Sequence, residues 1–228
     1  MRGRIVAACE RVGRDPSGVR LIGVTKGHDA DEIRHRLVDR GLLDLGENRA
    51  QEWRDKAADL PSEIRWHFVG SLQRNKVKYL ADGGVSTVHS LNSRRLADAM
   101  QDQGQRRDHR FEALIEVDVA GEDAKQGVAS AEVASLLRHC RDLSHVEVIG
   151  LMAIAPFADD PEQARPYFRE LGRLADELGL AERSMGMSGD FEVAIEEGAT
   201  MVRIGTALFE SDAVEADPVE ADPEEGAT

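Results

Sequence analysis

The residue best suited to covalent chemistry is Lys26, which ends the apolar run Leu21-Ile22-Gly23-Val24-Thr25. The chain has five lysines, Lys26, Lys56, Lys76, Lys78 and Lys125, against 24 arginines. Where arginine carries nearly all the positive charge, a lysine at a strand end offers what arginine cannot. Burial can strip its proton and leave an amine that attacks a carbonyl. The plain alternative is a surface lysine capping a strand. A second group lies near the end of the chain, where Ser184-Met185-Gly186-Met187-Ser188-Gly189-Asp190 is followed by Arg203-Ile204-Gly205-Thr206. Glycines let backbone N–H groups approach a phosphate, and the hydroxyls of Ser188 and Thr206 can donate to one. A helix starting near Asp190 would turn its positive end the same way. Two ordinary tight turns, with Ser188 as a helix cap, are the competing reading.

These two groups meet only if the fold brings the ends of distant strands together. Apolar runs bounded by breakers predict strands over 20–25, 42–46, 65–70, 85–89, 111–119, 146–153, 184–187 and 200–204. Amphipathic stretches between them predict helices over 29–40, 49–60, 74–81, 92–105, 130–142, 161–179 and 190–197. A further helix covers 1–14, and the chain is expected to begin inside it. Eight strands alternating with helices make an α/β protein, a single (β/α)8 TIM barrel over residues 1–209. An open doubly wound sheet would need a glycine-rich turn after the first strand, and Thr25-Lys26-Gly27-His28-Asp29 is not one. A barrel places Lys26 on the face where chemistry sits, and the loops after its last two strands commonly build a phosphate site.

Composition narrows the partners. The chain has 228 residues and is 41% hydrophobic, with a net charge of −14. Eight of its acids fall within residues 210–228, which hold no Lys or Arg, so the remaining body carries only −6. That mildly acidic body argues against nucleic acid as a partner. The tail repeats Val214-Glu215-Ala216-Asp217-Pro218 as Val219-Glu220-Ala221-Asp222-Pro223, and acid plus proline without aromatics predicts a disordered acidic tail over 210–228. No apolar stretch approaches the roughly 18 residues of a membrane span. The first ten residues break any leader pattern with charge. Cys9 and Cys140 fit no metal or redox spacing, and the seven histidines show no metal spacing. A cytoplasmic monomer that binds neither membrane nor metal is the expectation.

A lysine and a phosphate site on one barrel face fit two chemistries. One is a Schiff-base aldolase acting on a sugar phosphate. The other is pyridoxal 5'-phosphate (PLP) held on the lysine. Six segments, in order, bear on the choice: Val24-Thr25-Lys26; Gly46-Glu47-Asn48 with Gln51-Glu52; Trp66-His67-Phe68-Val69-Gly70 with Leu72-Gln73 and Asn75-Lys76; Gly150-Leu151-Met152 with Ala155-Pro156; Ser184-Met185-Gly186-Met187-Ser188 with Asp190-Phe191; and Met201-Val202-Arg203-Ile204-Gly205. Over about residues 5–209 the chain resembles the pyridoxal phosphate homeostasis proteins, single fold-type III barrels related to the barrel domain of alanine racemase.

The resemblance implies that Lys26 carries PLP as an aldimine and that Ser188, Gly205 and Thr206 hold the phosphate. It also implies that Arg203 faces the pyridine nitrogen, while Asn48 and His67 line the cofactor side of the barrel. The implied function is PLP homeostasis: buffering the cofactor or delivering it to PLP-dependent apoenzymes, with no strong catalysis. An amino-acid racemase and the aldolase are the alternatives. Asn48 could equally cap a helix with Gln51, and His67 could be a satisfied core histidine. Thr25 stands where the family often has serine, Ser71 where it often has a bulkier residue or histidine, and the N-terminal helix is shortened.

Overall fold

The short apolar runs all become parallel strands, and a ninth, two-residue strand joins them. They are β1 (Arg20–Val24), β2 (Asp44–Glu47), β3 (Arg65–Phe68), β4 (Thr87–Leu91), β5 (Phe111–Asp118), β6 (Val128–Ala129), β7 (Val146–Met152), β8 (Glu182–Ser184) and β9 (Met201–Ile204). The computed structural model describes residues 1–121 and 127–210. The strands run side by side in the order β4-β3-β2-β1-β9-β8-β7-β5, and β4 also pairs with β5. That last pairing closes an eight-stranded parallel barrel, the architecture expected. β6 is a two-residue addition paired to the end of β5 and was not anticipated. The acidic tail, beyond Glu210, lies outside the described residues, as does Lys125.

Helices α1 (Arg2–Arg11), α2 (Ala30–Arg36), α3 (Ala50–Ala57), α4 (Val77–Asp82), α5 (Arg94–Arg107), α6 (Ser130–Arg141), α7 (Arg165–Leu178), α8 (Phe191–Glu196) and α9 (Thr206–Phe209) surround the strands. Their starts follow capping chemistry. The Asp29 carboxylate accepts from the Glu32 N–H at α2, and the Ser93 hydroxyl accepts from the Leu96 N–H at α5. α7 turns Phe168, Leu171, Leu174 and Ala175 inward and stops at Gly179.

Several boundaries differ from expectation, including the opening of the helix over 161–179, where Pro161–Ala164 is a 3-10 turn. The helix over 29–40 breaks after Arg36 into a 3-10 turn, and the one over 74–81 opens with a 3-10 turn at Arg74–Lys76. The seventh barrel strand lies at Glu182–Ser184 rather than 184–187, because Gly186 has φ +91° and the chain leaves the sheet there.

Most of the apolar core fills the layer between strands and helices. Ile22, Leu114, Met152 and Met201, with Ile149 packed against them, form a separate small apolar plug inside the barrel. Of the buried polar side chains, Asp44, Glu47, His67, Thr87, His89, Ser90, Glu116, Ser184 and Arg203 belong to barrel strands. Among the described residues no helix is long and apolar enough to cross a membrane, and no cluster of His, Cys, Asp and Glu could hold a metal ion.

Candidate functional site

Lys26 stands two residues beyond the end of β1, in a turn where the His28 N–H donates to the Thr25 carbonyl at 3.2 Å. The turn is gripped from behind. Thr25 is fully buried, and its hydroxyl donates to Glu47 Oε1 at 2.8 Å. Lys56 Nζ, on α3, donates to the same oxygen at 2.6 Å and to the Thr25 carbonyl at 3.0 Å. Glu47 Oε2 accepts the Asn48 N–H at 3.0 Å. One buried carboxylate at the end of β2 thus fixes the segments that present Lys26 and Asn48. Gly70 completes the fit, because a Cβ there would lie 2.3 Å from the Asn48 carbonyl oxygen.

A cavity of about 650 Å³ opens at the C-terminal ends of the strands. Lys26, Asn48, Ser188, Arg203, Gly205 and Thr206 all line it. Six of the seven residues expected at the site therefore meet in one place. His67 does not line it. It lies buried in the barrel, bonded to Asp44 at 3.2 Å and to His89 at 3.1 Å, as a satisfied core histidine would be. Asn48 does not cap α3, whose N-cap is Arg49. Ser188 does not cap α8, because the turn from Met187 to Asp190 holds it short of the helix.

The expected burial of Lys26 is not found: the residue is exposed. Its side chain leaves the end of β1 into an open cavity, and no element among the described residues covers it. Accessibility, rather than desolvation, is what this position gives the amine. Arg203 is the opposite case, 5% exposed at the cavity floor. Burial pushes its guanidinium down to about 10, with the charges of Asp190 and Glu116 opposing, so it remains a cation at neutral pH. Its Nη1 donates to Ser184 Oγ at 2.6 Å and its Nη2 to the Ala153 carbonyl at 3.0 Å. Burial raises the Asp190 carboxyl, against the pull of the Met187 N–H and of Arg203.

The donor set suits a phosphorylated, aldehyde-bearing ring. Ser188, Gly189, Gly205 and Thr206 bring hydroxyls and backbone N–H groups to one wall, Lys26 brings an amine, and Arg203 brings a fixed cation. Asn48 Oδ1 is buried without a partner among the described residues. Ile154, Phe157 and Met187 form an exposed apolar rim, with Phe157 95% exposed.

Residues 7–212 match the family model described as alanine racemase, N-terminal domain. A pyridoxal phosphate homeostasis protein of Aquifex aeolicus is 46% identical over 213 residues, covering 90% of this chain and 92% of its own length. The chain belongs to the pyridoxal phosphate homeostasis protein family. A further member, from Deinococcus radiodurans, is 45% identical over 203 residues, covering 87% of this chain and 92% of its own. The solved structure of PipY of Synechococcus elongatus with PLP bound superposes with a TM-score of 0.78 at 32% identity, covering 91% of this chain and 99% of that one. Alanine racemase of Clostridium difficile shares the fold at 14% identity and a TM-score of 0.65, covering 91% of this chain and 56% of that one.

Sequence reasoning missed Asp44, Glu47, Lys56, His89 and Ser184 as site-supporting residues. Glu47 and Ser184 stand inside segments that carried the family resemblance, which was the one signal available for them. Asp44, Lys56 and His89 look, in sequence, like ordinary polar positions of short elements.

Proposed function

We propose that this chain binds PLP in the cavity at the C-terminal ends of the barrel strands and holds it for buffering or delivery, without processing a substrate at a meaningful rate. The observation that carries this reading is the meeting of Lys26, Arg203, Ser188, Gly205 and Thr206 around one cavity in a member of this family. PLP supplies an aldehyde that a primary amine can capture and a ring that can take up electron density. The chain's own residues then divide the work. Lys26 would form the covalent C=N bond, with water leaving. Ser188, Gly205 and Thr206 would anchor the phosphate, and Arg203 would meet the pyridine nitrogen. A cationic arginine keeps that nitrogen unprotonated, which makes the ring a poor electron sink and favours holding over carbanion chemistry. The exposure of Lys26 leaves the bond open to attack by the amine of a PLP-dependent apoenzyme, the recipient expected for delivery. The chain is proposed to act as a cytoplasmic monomer, and its two cysteines, buried and unpaired, suit a reducing compartment.

Purified protein mixed with PLP should develop a visible absorption band. A Schiff-base aldolase working without the cofactor would show none. The phosphate anchor has its own test. Pyridoxal should bind at least about a hundredfold more weakly than PLP, since several charge-assisted hydrogen bonds are lost at once. Equal affinities for the two would remove the anchor. At Gly205 a Cβ would meet only Val24 atoms at 3.5 Å, ordinary contact, so Gly205→Val should fold while crowding the phosphate wall and weakening PLP about tenfold or more.

Racemisation of alanine should be absent. It needs a proton acceptor on each face of the substrate α-carbon. Lys26 could serve one face. Tyr79 lies on α4 and Tyr167 on α7, and neither lines the cavity. Chiral chromatography of L- or D-alanine after incubation with PLP-loaded protein checks this; turnover that vanishes in Lys26→Ala would restore the racemase alternative.

A further inference from the structure

The barrel interior holds a line of buried polar side chains that PLP binding, as described above, does not use. Beyond the bond from Arg203 Nη1 to Ser184 Oγ, that oxygen lies 2.9 Å from His89 Nδ1. His89 Nε2 lies 3.1 Å from His67 Nδ1, and His67 Nε2 lies 3.2 Å from Asp44 Oδ1. Arg65 closes the far end, with Nε 2.8 Å from Asp44 Oδ1 and Nη2 2.6 Å from Asp44 Oδ2. The line crosses β9, β8, β4, β3 and β2 and joins the cavity floor to the opposite end of the barrel. All five members from Arg203 to Asp44 are buried.

The two ends fix its direction. Arg203 can only donate, so Ser184 Oγ accepts from it and keeps its own proton free to donate to a bare His89 Nδ1. A neutral His89 must then carry its hydrogen on Nε2 and donate to His67 Nδ1. A neutral His67 likewise carries its hydrogen on Nε2 and donates to Asp44, an ionised carboxylate that can only accept. Arg65 and His67 hold that carboxyl well below the usual carboxylate range, against burial. With His67 neutral, the reverse direction would set a bare His67 Nε2 lone pair against the carboxylate. The groups that bear on His89 are His67 on β3, Ser184 on β8, Arg203 on β9 and Arg20 on β1. Burial, first of all, and the nearby charges of Arg203 and Arg20 keep it neutral.

We propose that Ser184, His89, His67 and Asp44 form a one-way hydrogen-bond chain that fixes the Arg203 guanidinium at the cavity floor, where it meets the pyridine nitrogen. They are positioning residues, and no proton is transferred along the chain. The part of the proposal that concerns the pyridine nitrogen rests on the PLP reading; the chain itself does not.

The first test needs no cofactor. Nitrogen-15 NMR of histidine-labelled full-length protein should show both His67 and His89 at pH 7 as neutral rings with hydrogen on Nε2. A protonated ring, or hydrogen on Nδ1 alone in either, overturns the chain. The second test compares His89→Leu with His89→Gln in PLP-loaded protein. The glutamine amide presents an acceptor to Ser184 and a donor to His67, as the neutral imidazole does. Gln should therefore retain the wild-type pH midpoint of the visible band. Leu should move it by about one pH unit and weaken PLP about tenfold, the worth of one hydrogen bond to a charged group, while borohydride still traps cofactor at Lys26. Leu and Gln variants that both match wild type would overturn the positioning role. If His89→Leu does not fold, Ser184→Ala cuts the same chain with a smaller change in volume and the same expected outcome, and the NMR result decides independently. Wild-type protein that takes up no PLP would instead sink the functional reading and leave the NMR test standing.

Discussion

Lys26→Ala protein incubated with PLP and reduced with borohydride is expected to carry no added cofactor mass, while the wild type carries one PLP on the peptide containing Lys26. Only a primary amine can form the reducible bond, and among the described residues Lys26 is the one lysine that lines the cavity. Lys56 reaches the Thr25 carbonyl beside Lys26, but it is 9% exposed and committed to that carbonyl and to Glu47. Lys76 and Lys78 lie around the Tyr79 ring, at 5.5 and 5.0 Å from its centroid, away from the cavity wall. Lys26→Arg should fail as completely as Ala, because guanidinium stays protonated and makes no such bond. The exposure of Lys26 adds a kinetic expectation. Reduction should be fast and should need no denaturant, since reagent and amine meet in an open cavity. Labelling that persists in Lys26→Ala and maps to Lys56, Lys76, Lys78 or Lys125 would show that the covalent site lies elsewhere.

The parts of this molecule that were legible in the sequence are those where local pattern and long-range structure agree. Eight apolar runs separated by amphipathic stretches leave little choice but a closed parallel barrel. Lys26 and the Ser188 and Gly205-Thr206 segments then fall on one face because each follows the C-terminal end of a strand. The accessibility of Lys26 was not legible, because a strand end says where a side chain begins and not what covers it. The seventh strand ends earlier than its sequence suggests, because Met185 and Met187 look like strand residues while Gly186 at positive φ takes the chain out of the sheet. The interior polar chain was hidden for a different reason. Strands of a parallel barrel are buried on both faces, so alternation does not separate inward from outward positions. His89 and Ser184 are 95 residues apart, and no local spacing announces their contact. His67 illustrates both effects. Its place in a barrel strand was read correctly, but the cavity lies above it and its partners lie across the barrel.

Loss of the Glu47–Lys56 pair should produce the largest stability change of any substitution near the site. Glu47 is fully buried and its carboxylate takes three donors: the Lys56 ammonium, the Thr25 hydroxyl and the Asn48 N–H. Glu47→Ala removes the acceptor from all three and leaves a nearly buried ammonium without a counter-charge, which costs about 3–5 kcal/mol. Lys56→Met removes one donor and its charge, leaving the carboxylate with two neutral donors, and is expected to cost about 2–4 kcal/mol. Glu47→Gln combined with Lys56→Met leaves no buried charge, and the amide oxygen can still accept from Thr25 or Asn48. The double variant should therefore be more stable than the sum of its single variants allows, by about 1–3 kcal/mol. Urea unfolding of Glu47→Gln, Lys56→Met and the double variant measures that coupling directly. Single effects that add to within about 0.5 kcal/mol would show that the two side chains act independently despite their 2.6 Å contact. The same variants report on function through Lys26, because the turn that presents it hangs on the Thr25 hydroxyl and carbonyl. Glu47→Ala, assayed well below its unfolding midpoint, should trap PLP at Lys26 several-fold more slowly than wild type, since the amine keeps its chemistry and loses its fixed direction. Unchanged trapping in a destabilised but folded Glu47→Ala protein would confine the pair to holding the fold together.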